Sequence, residues 1–159
     1  MRALQVWTAR VTYGGVDRLD VTRKSADAWG KSFAPSWPLL RPALDVRKVA
    51  DGLMAQARAA LDADGDEWGP TREADRLLDE AWRAYVPRFL DEMRRSYVDR
   101  RADWGRLLAL PEVTLVCFCV DPTQCHRTLL ARDILPKLGA VYMGERERPS
   151  AIVPPEARP

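Results

Sequence analysis

The sequence has few cysteines, little net charge and no long apolar run, and each of these shortages excludes a class of protein. Three cysteines, two of them in a CxC arrangement, cannot form a conventional disulfide framework and fit a reducing compartment. The 25 Lys and Arg residues against 23 Asp and Glu leave a net charge of +2, so no overall field selects nucleic acid or membrane. No stretch approaches the roughly 18 apolar residues of a membrane span, and the first residues lack a secretion signal's apolar core. These shortages predict a soluble, cytoplasmic protein with no membrane partner.

The length and the apolar content predict a single domain. A chain of 159 residues with 47% hydrophobic residues is in the usual range for one domain and is sufficient for a sizeable core. The last eleven or so residues are rich in proline (Pro149, Pro154, Pro155 and Pro159). We therefore predict one domain over residues 1–148 and a loose tail over residues 149–159.

The first 45 residues predict two strands and a loop. Residues 4–8 and 16–21 are strand-like and are separated by the turn signal Tyr13-Gly14-Gly15, so the two strands either pair or flank a crossover. An aromatic and proline-rich stretch follows, which is too apolar for a linker and predicts an ordered loop over the domain. Its residues are Trp29, Phe33, Pro35, Trp37, Pro38 and Pro42.

The middle of the chain predicts helices. Apolar spacing predicts a helix over residues 46–63, ended by Asp64-Gly65-Asp66, and a second helix capped by Thr71, with a kink or restart at Pro87. Aromatic residues continue the pattern beyond Pro87, with basic residues between them (Arg94, Arg95, Arg100, Arg101 and Arg106). These arginines are either the solvated face of an amphipathic helix or phosphate-binding groups.

The strongest strand signal comes near the C-terminus. The β-branched and apolar run over residues 113–120 predicts a central parallel strand that is buried on both faces. Asp121-Pro122-Thr123-Gln124 then fits an N-cap, a first-turn proline and a variant capping box, which predicts a helix through Leu138 closed by Gly139. Residues 140–143 predict one more strand. Strands alternating with helices favour an α/β domain.

Cys125-His126-Arg127 lies where such a domain usually binds its ligand, at the carboxyl end of a parallel strand. Backbone N–H groups and the helix dipole favour an anion there, and the Arg127 guanidinium adds a contact to phosphate or carboxylate. The same field would favour a Cys125 thiolate, while His126 is the only histidine and a candidate acid or base. The alternative is that Cys125 packs inward, His126 bonds a carbonyl and Arg127 pairs with an acid.

The three cysteines also form a conceivable metal-ligand pattern. Alternation along a strand places Cys117 and Cys119 on one face, and Cys125-His126 follows five residues later. The spacing does not match a CxxC knuckle pair, and buried cysteines commonly serve as small hydrophobes. The sequence therefore assigns no metal, and it identifies no cofactor.

Two separated segments resemble the DUF488 family, a domain of unknown function. LVCFCVDPTQCHRTLLARDIL, over residues 115–135, is similar to its signature, in which a strand ending in cysteine leads to Cys-His-Arg and a helix. Asp20-Val21-Thr22-Arg23 resembles an early Asp-Val-Arg element of the family, here with Thr22 inserted. The chain departs from the family pattern after the strand cysteine, where Phe118-Cys119-Val120 precede the acid Asp121. The resemblance extends over residues 4–144.

The resemblance implies a fold and a set of site residues, but no reaction. The fold is an α/β, Rossmann-like three-layer domain with a mainly parallel sheet and a helical middle segment, in which the Asp/Arg element and the Cys-His-Arg start converge. We expect catalytic roles for Cys125, His126 and Asp20, and ligand contacts from Arg23, Ser25, Asp121 and Arg127.

The expected function is that of a DUF488-like protein that binds a phosphate-containing or other anionic small ligand at the Cys-His-Arg segment. The sequence leaves open whether the protein acts on that ligand as an enzyme. Two alternatives stay open at this point. One is a non-catalytic module that binds nucleic acid or protein through Arg94, Arg95, Arg100 and Arg101. The other is a metal or redox site built on the cysteines.

Overall fold

Four parallel strands form one sheet in the order β2-β3-β1-β4. The strands are β1 (Gln5–Arg10), β2 (Arg18–Asp20), β3 (Glu112–Cys117) and β4 (Val141–Glu145). The structure is a computed structural model that describes residues 2–25, 27–63, 65 and 68–146. Its all-parallel sheet with helices confirms the mixed α/β class and is consistent with the Rossmann-like three-layer prediction.

The chain divides into two units that are described separately here. The sheet unit takes its described residues from Met1–Asp20 and Leu107–Pro159, and the helical unit takes them from Val21–Arg106. One domain over residues 1–148 stays a prediction, and the loose tail at residues 149–159 lies outside the described residues. No helix in the described part of the chain is long and apolar enough to cross a bilayer.

β3 is one of the two interior strands of the sheet, as the sequence predicted for this segment. It pairs in parallel with β1 from Gln5↔Glu112 to Arg10↔Cys117, and with β2 on its other side. Val116 and Cys117 are buried, which confirms the predicted burial of the strand. The first two strands of the chain do not pair with each other, because β3 lies between them. The predicted strand at residues 140–143 is confirmed as β4.

The predicted strand over residues 113–120 was too long at its end. β3 stops at Cys117, and the side chains of Phe118 and Val120 are 57% and 70% exposed. The ladder with β1 ends at Arg10 and that with β2 at Asp20, so no strand in the described part of the chain pairs with residues 118–120. Apolar character alone therefore overestimated the strand by three residues.

The helical unit begins with a 3-10 helix (Ala28–Phe33), which is followed by α1 (Trp37–Asp62) and α2 (Trp68–Asp99). The short helix α3 (Arg101–Leu108) begins within this unit, and its last two residues belong to the sheet unit. The predicted loop over the proline-rich stretch was wrong, because α1 starts nine residues before the predicted Val46. Ser36 caps α1 by accepting a hydrogen bond from the Leu39 N–H, and Pro38 stands in the first turn, where its missing N–H costs nothing. The predicted helix end at Asp64 and Asp66 lies outside the described residues.

The second long helix runs through its proline. The predicted cap at Thr71 and the predicted restart at Pro87 were wrong, because α2 is one helix over 32 residues. Tyr85 and Phe89 flank Pro87 and are buried, with stacked rings 5.8 Å apart, and α2 packs along α1. Burial of this face offsets the one backbone hydrogen bond that the proline removes.

Candidate functional site

The segment after β3 begins with the predicted cap. The Asp121 carboxylate accepts hydrogen bonds from the N–H of Thr123 at 2.9 Å and from its hydroxyl at 2.6 Å, and Pro122 occupies the first turn. This confirms the N-cap. The helix that it starts is a single 3-10 turn (Pro122–Gln124), so the prediction of one continuous helix from Pro122 was wrong.

Cys125 is therefore not inside a helix. Its backbone is extended, with φ −140° and ψ 140°, and it precedes α4 (His126–Thr128). The chain continues as π-helical turns (Leu129–Ile134) and a 3-10 turn (Leu135–Leu138), and Gly139 ends this run with φ 96°, as predicted. The extended residue turns the Cys125 side chain back towards the end of β3, where it meets the other two cysteines.

Three cysteines and the histidine converge at the end of β3. Cys117 Sγ lies 3.8 Å from Cys119 Sγ and 3.8 Å from His126 Nδ1. The ligand atoms of Cys117, Cys125 and His126 all lie within 4.8 Å of one another, and all three residues are buried. Three residues with nitrogen or sulfur donors thus lie close together in the sheet unit, and the Cys119 sulfur lies beside one of them.

Arg127 lies beside the cluster and is fully buried, with 0% of its side chain exposed. Its guanidinium donates to both carboxylate oxygens of Glu145, at 2.8 and 3.4 Å, and to the Cys119 carbonyl at 2.8 Å. It also donates to Cys125 Sγ at 3.4 Å. These contacts agree with the alternative in which Arg127 pairs with an acid, and they add a contact with a cysteine sulfur.

The electrostatics concentrate negative charge on one sulfur. Hydrogen bonds from the Cys119 and Cys125 thiols, helped by the charge of Arg127, lower the pKa of Cys117 to about 3. Burial raises the pKa of Cys125 well above its usual value, and the neighbouring Cys117 and Cys119 raise it further. These shifts favour a thiolate at Cys117 and a thiol at Cys125, whereas the sequence favoured a thiolate at Cys125.

The arginine keeps its charge in this setting. Burial opposes the charged form of Arg127, but the hydrogen bond to Glu145 and the nearby sulfurs outweigh burial and raise its pKa. The cluster therefore has a permanent positive charge on one side, which favours deprotonated sulfur. Thr128, the next residue of α4, has a buried hydroxyl with no hydrogen-bond partner among the described residues.

The early predicted site residues lie elsewhere or have other contacts. Asp20 is the last residue of β2 and is in register with Val116 of β3. It therefore lies at the same edge of the sheet as the cluster. Arg23 and Ser25 belong to the helical unit. There the Arg23 guanidinium donates to backbone carbonyls, among them those of Pro35 and Ala34 at 2.8 Å each, and the Ser25 hydroxyl donates to a carbonyl at 3.3 Å. Their convergence with Cys-His-Arg stays a prediction.

Glu145 is the functional residue that sequence reasoning missed. It ends β4, so its place at the carboxyl end of a parallel strand was the one available signal. The predicted nucleic-acid partner through Arg94, Arg95, Arg100 and Arg101 also stays a prediction. All four are exposed, with Arg94 and Arg95 on α2, Arg100 in the turn after it and Arg101 at the start of α3. Arg94 pairs with Asp91 at 2.6 Å.

Comparison with known proteins gives one finding. Residues 67–138 match a family model described as DUF488-N3a, the active DUF488-N3 subclade. The match includes the Cys-His-Arg segment and supports a DUF488 assignment, as the resemblance of the two motifs implied. The comparison with curated proteins gave no match, nor did the comparison with solved structures.

Proposed function

We propose that the Cys-His-Arg segment, which lies within the match to the DUF488 family model, holds a divalent transition-metal ion, with zinc the best fit. Cys117, Cys125 and His126 would supply the ligands. The observation that supports this function is the mutual approach of their three ligand atoms, all within 4.8 Å, in a buried cluster.

The distances suit a tetrahedral ion. Zinc binds thiolate sulfur at about 2.3 Å and imidazole nitrogen at about 2.0 Å, so two ligand atoms of a tetrahedral site lie about 3.6 to 3.8 Å apart. Cys117 Sγ lies 3.8 Å from His126 Nδ1, and Cys125 Sγ lies within 4.8 Å of the ligand atoms of both residues. Soft sulfur with imidazole is also the donor set that selects zinc over magnesium or calcium.

The charge around the cluster supports the same function. Cys117 and Cys125 would bind zinc as thiolates, and the positive charge of the Arg127 guanidinium, 3.4 Å from Cys125 Sγ, favours that form. Glu145 fixes the guanidinium in place. Outer hydrogen bonds of this kind orient the ligands of metal sites and tune their affinity.

Anion binding through Arg127, the function predicted from sequence, stays a prediction, and the contacts of Arg127 favour the metal over it. Its guanidinium is buried and already donates to Glu145, to the Cys119 carbonyl and to Cys125 Sγ. An external phosphate would have to displace Glu145 to reach the guanidinium.

Enzymatic activity also stays a prediction. Three protein ligands leave one position for water, as in catalytic zinc sites, unless Cys119 fills it.

Cobalt substitution tests the metal site directly. Reduced full-length protein titrated with Co²⁺ should develop the intense visible bands of tetrahedral cobalt together with thiolate charge-transfer absorption. Cys117→Ser, Cys125→Ser and His126→Gln should each weaken binding by more than about 100-fold, since even losses outside the ligand shell cost 10 to 100-fold.

Cys119→Ser is the matched control, because it changes a cysteine of the same cluster and leaves the three ligands in place. It should retain cobalt, and circular dichroism should show that every variant is folded. Wild-type protein without the tetrahedral bands, or ligand variants that bind cobalt as well as wild type does, would refute the proposal.

A further inference from the structure

The three cysteines of the cluster differ in their access to solvent. The side chains of Cys117 and Cys125 are 5% and 1% exposed, whereas Cys119 is partly exposed. Cys119 lies between Phe118 and Val120, whose apolar side chains are largely exposed. A reagent from solvent therefore reaches Cys119 before it reaches the other two sulfurs.

Cys119 is also placed to react with a neighbour. Its sulfur is 3.8 Å from Cys117 Sγ, and a disulfide requires about 2.05 Å, so the two sulfurs must approach by less than 2 Å. Cys117 is fixed at the end of β3, but Cys119 follows the last residue of the ladder. The Cys119 segment can therefore move without breaking a strand pairing.

We propose that Cys119 is an oxidation site, at which a hydroperoxide converts Cys119 and Cys117 into a disulfide and so releases the metal ion. The release step rests on the proposed function, whereas the disulfide step depends only on the sulfur geometry. Because Cys117 is a proposed ligand, the disulfide would leave Cys125 and His126 as the only ligands.

The chemistry balances in two steps. The Cys119 sulfur attacks the hydroperoxide, the O–O bond breaks, and Cys119 becomes a sulfenic acid while the other oxygen leaves as water or an alcohol. The Cys117 sulfur then attacks the sulfur of Cys119, the S–S bond forms, and the hydroxyl group leaves as water after taking up a proton. The two thiols lose two electrons and two protons in total, and the peroxide accepts them.

The site is consistent with a reversible change. The predicted reducing compartment would restore the thiols, since glutathione and thioredoxin reduce such bonds. Arg127 donates to the carbonyl of Cys119 and to the sulfur of Cys125. It therefore holds the Cys119 segment near the cluster in the reduced form, and it can remain bound to Glu145 during oxidation.

The test uses full-length reduced protein loaded with zinc and treated with hydrogen peroxide. Released zinc is followed with a coloured chelator, and the disulfide is followed by intact mass and peptide mapping. We expect wild-type protein to release zinc as it loses two hydrogen atoms. Cys119→Ser should keep its zinc and release it at least about tenfold more slowly, because its remaining cysteines are buried. Cys119→Ala serves the same purpose if the serine variant does not fold.

Cys125→Ser distinguishes the disulfide step from the proposed metal site. It loses a proposed ligand but retains both sulfurs of the expected disulfide. It should still form the Cys117–Cys119 bond. A bond between Cys117 and Cys125, a sulfinic acid at Cys119 without a disulfide, or equally fast zinc release from Cys119→Ser would overturn the proposal. Reduced wild-type protein that binds no zinc would refute the proposed function instead, while the mapped disulfide would still decide the role of Cys119.

Discussion

Arg127 and Glu145 form a buried ion pair whose NH2 to Oε1 distance is 2.8 Å, with the arginine side chain fully enclosed and the glutamate 26% exposed. The pair joins the run after Cys125 to the end of β4. It also aims a guanidinium at Cys125 Sγ and at the carbonyl of Cys119. The positive charge of the cluster is thus supplied by a residue that contacts a cysteine sulfur and no solvent.

We predict that Arg127→Gln lowers both stability and metal affinity. Removing one partner of a buried ion pair costs about 3 to 5 kcal/mol, and the partial exposure of Glu145 places the expected loss near the lower value. Zinc affinity should fall about 10 to 100-fold, because the sulfurs lose their charge-assisted donor. Urea unfolding and competition with a zinc chelator measure the two effects.

Arg132→Gln is the control for that change. Arg132 forms an ion pair with Asp133 at 2.9 Å, but its side chain is 55% exposed, so the free energy of unfolding should change by less than about 0.5 kcal/mol. Zinc affinity should stay at the wild-type value. If Arg127→Gln behaved like this surface variant, Arg127 would have no role at the cluster.

The cap at Asp121 gives a second prediction. Asp121→Ala removes the acceptor for the Thr123 N–H and hydroxyl, and it should cost about 1 kcal/mol of stability. The turn over residues 122–124 also sets the direction in which the chain enters Cys125, so metal affinity should fall although no ligand is lost. Asp121→Asn keeps a capping oxygen and should retain most of both properties. Equal losses in the two variants would show that the cap is not the cause.

Acid stability should depend on Asp17. Burial alone would raise its pKa, but hydrogen bonds from Thr114 at 2.5 Å and from Tyr13 at 2.8 Å outweigh burial and lower it. A carboxyl whose folded pKa lies below its unfolded value stabilises the protein above the unfolded pKa, and the contribution is lost as the pH falls through the folded value. Asp17→Asn should cost about 1 to 2 kcal/mol at pH 7.

The difference between wild type and Asp17→Asn should therefore shrink below about pH 4, near the unfolded pKa of an aspartate. Glu112→Gln is the matched control, because Glu112 contacts the same Arg146 at 3.2 Å but is 41% exposed. It should change stability by less than about 0.5 kcal/mol at any pH. A difference for Asp17→Asn that stays constant down to pH 3 would contradict the role assigned to its charge.

The proline within α2 gives a prediction about the helical unit. Pro87→Ala restores a backbone N–H within a continuous helix and should stabilise the protein by about 1 to 3 kcal/mol. Pro38→Ala, in the first turn of α1, should give no such gain, because that N–H has no partner within the helix. Thermal unfolding of both variants checks this. A destabilised Pro87→Ala would mean that the helix depends on its proline.

The sequence was sufficient to predict the parallel strands, because β3 and β4 combine apolar side chains with nearby turn signals. It failed where tertiary packing outweighs a local rule. The buried faces of α1 and α2 carry helices past Pro42 and Pro87, and β3 stops where its neighbours end. Helix packing and strand pairing are tertiary contacts, which the local propensities of the residues do not predict.

Except for Glu145, the residues of the candidate site were predictable from the sequence, but their geometry was not. The Cys-His-Arg segment and the cap at Asp121 were readable from residue types and spacing. The extended backbone of Cys125 was not, because the cap pattern predicts a helix that continues. That one extended residue brings Cys125 to Cys117, and the contact of Arg127 with Glu145 joins segments 18 residues apart. Both features arise only when the sheet is assembled.

Native mass spectrometry of the full-length protein, expressed with zinc and purified without chelator or oxidant, tests the metal site most directly. We predict one zinc ion on each wild-type chain and none on Cys117→Ser or Cys125→Ser, with both variants folded. Wild-type chains free of metal, or variants that carry as much zinc as wild type, would contradict the proposed function.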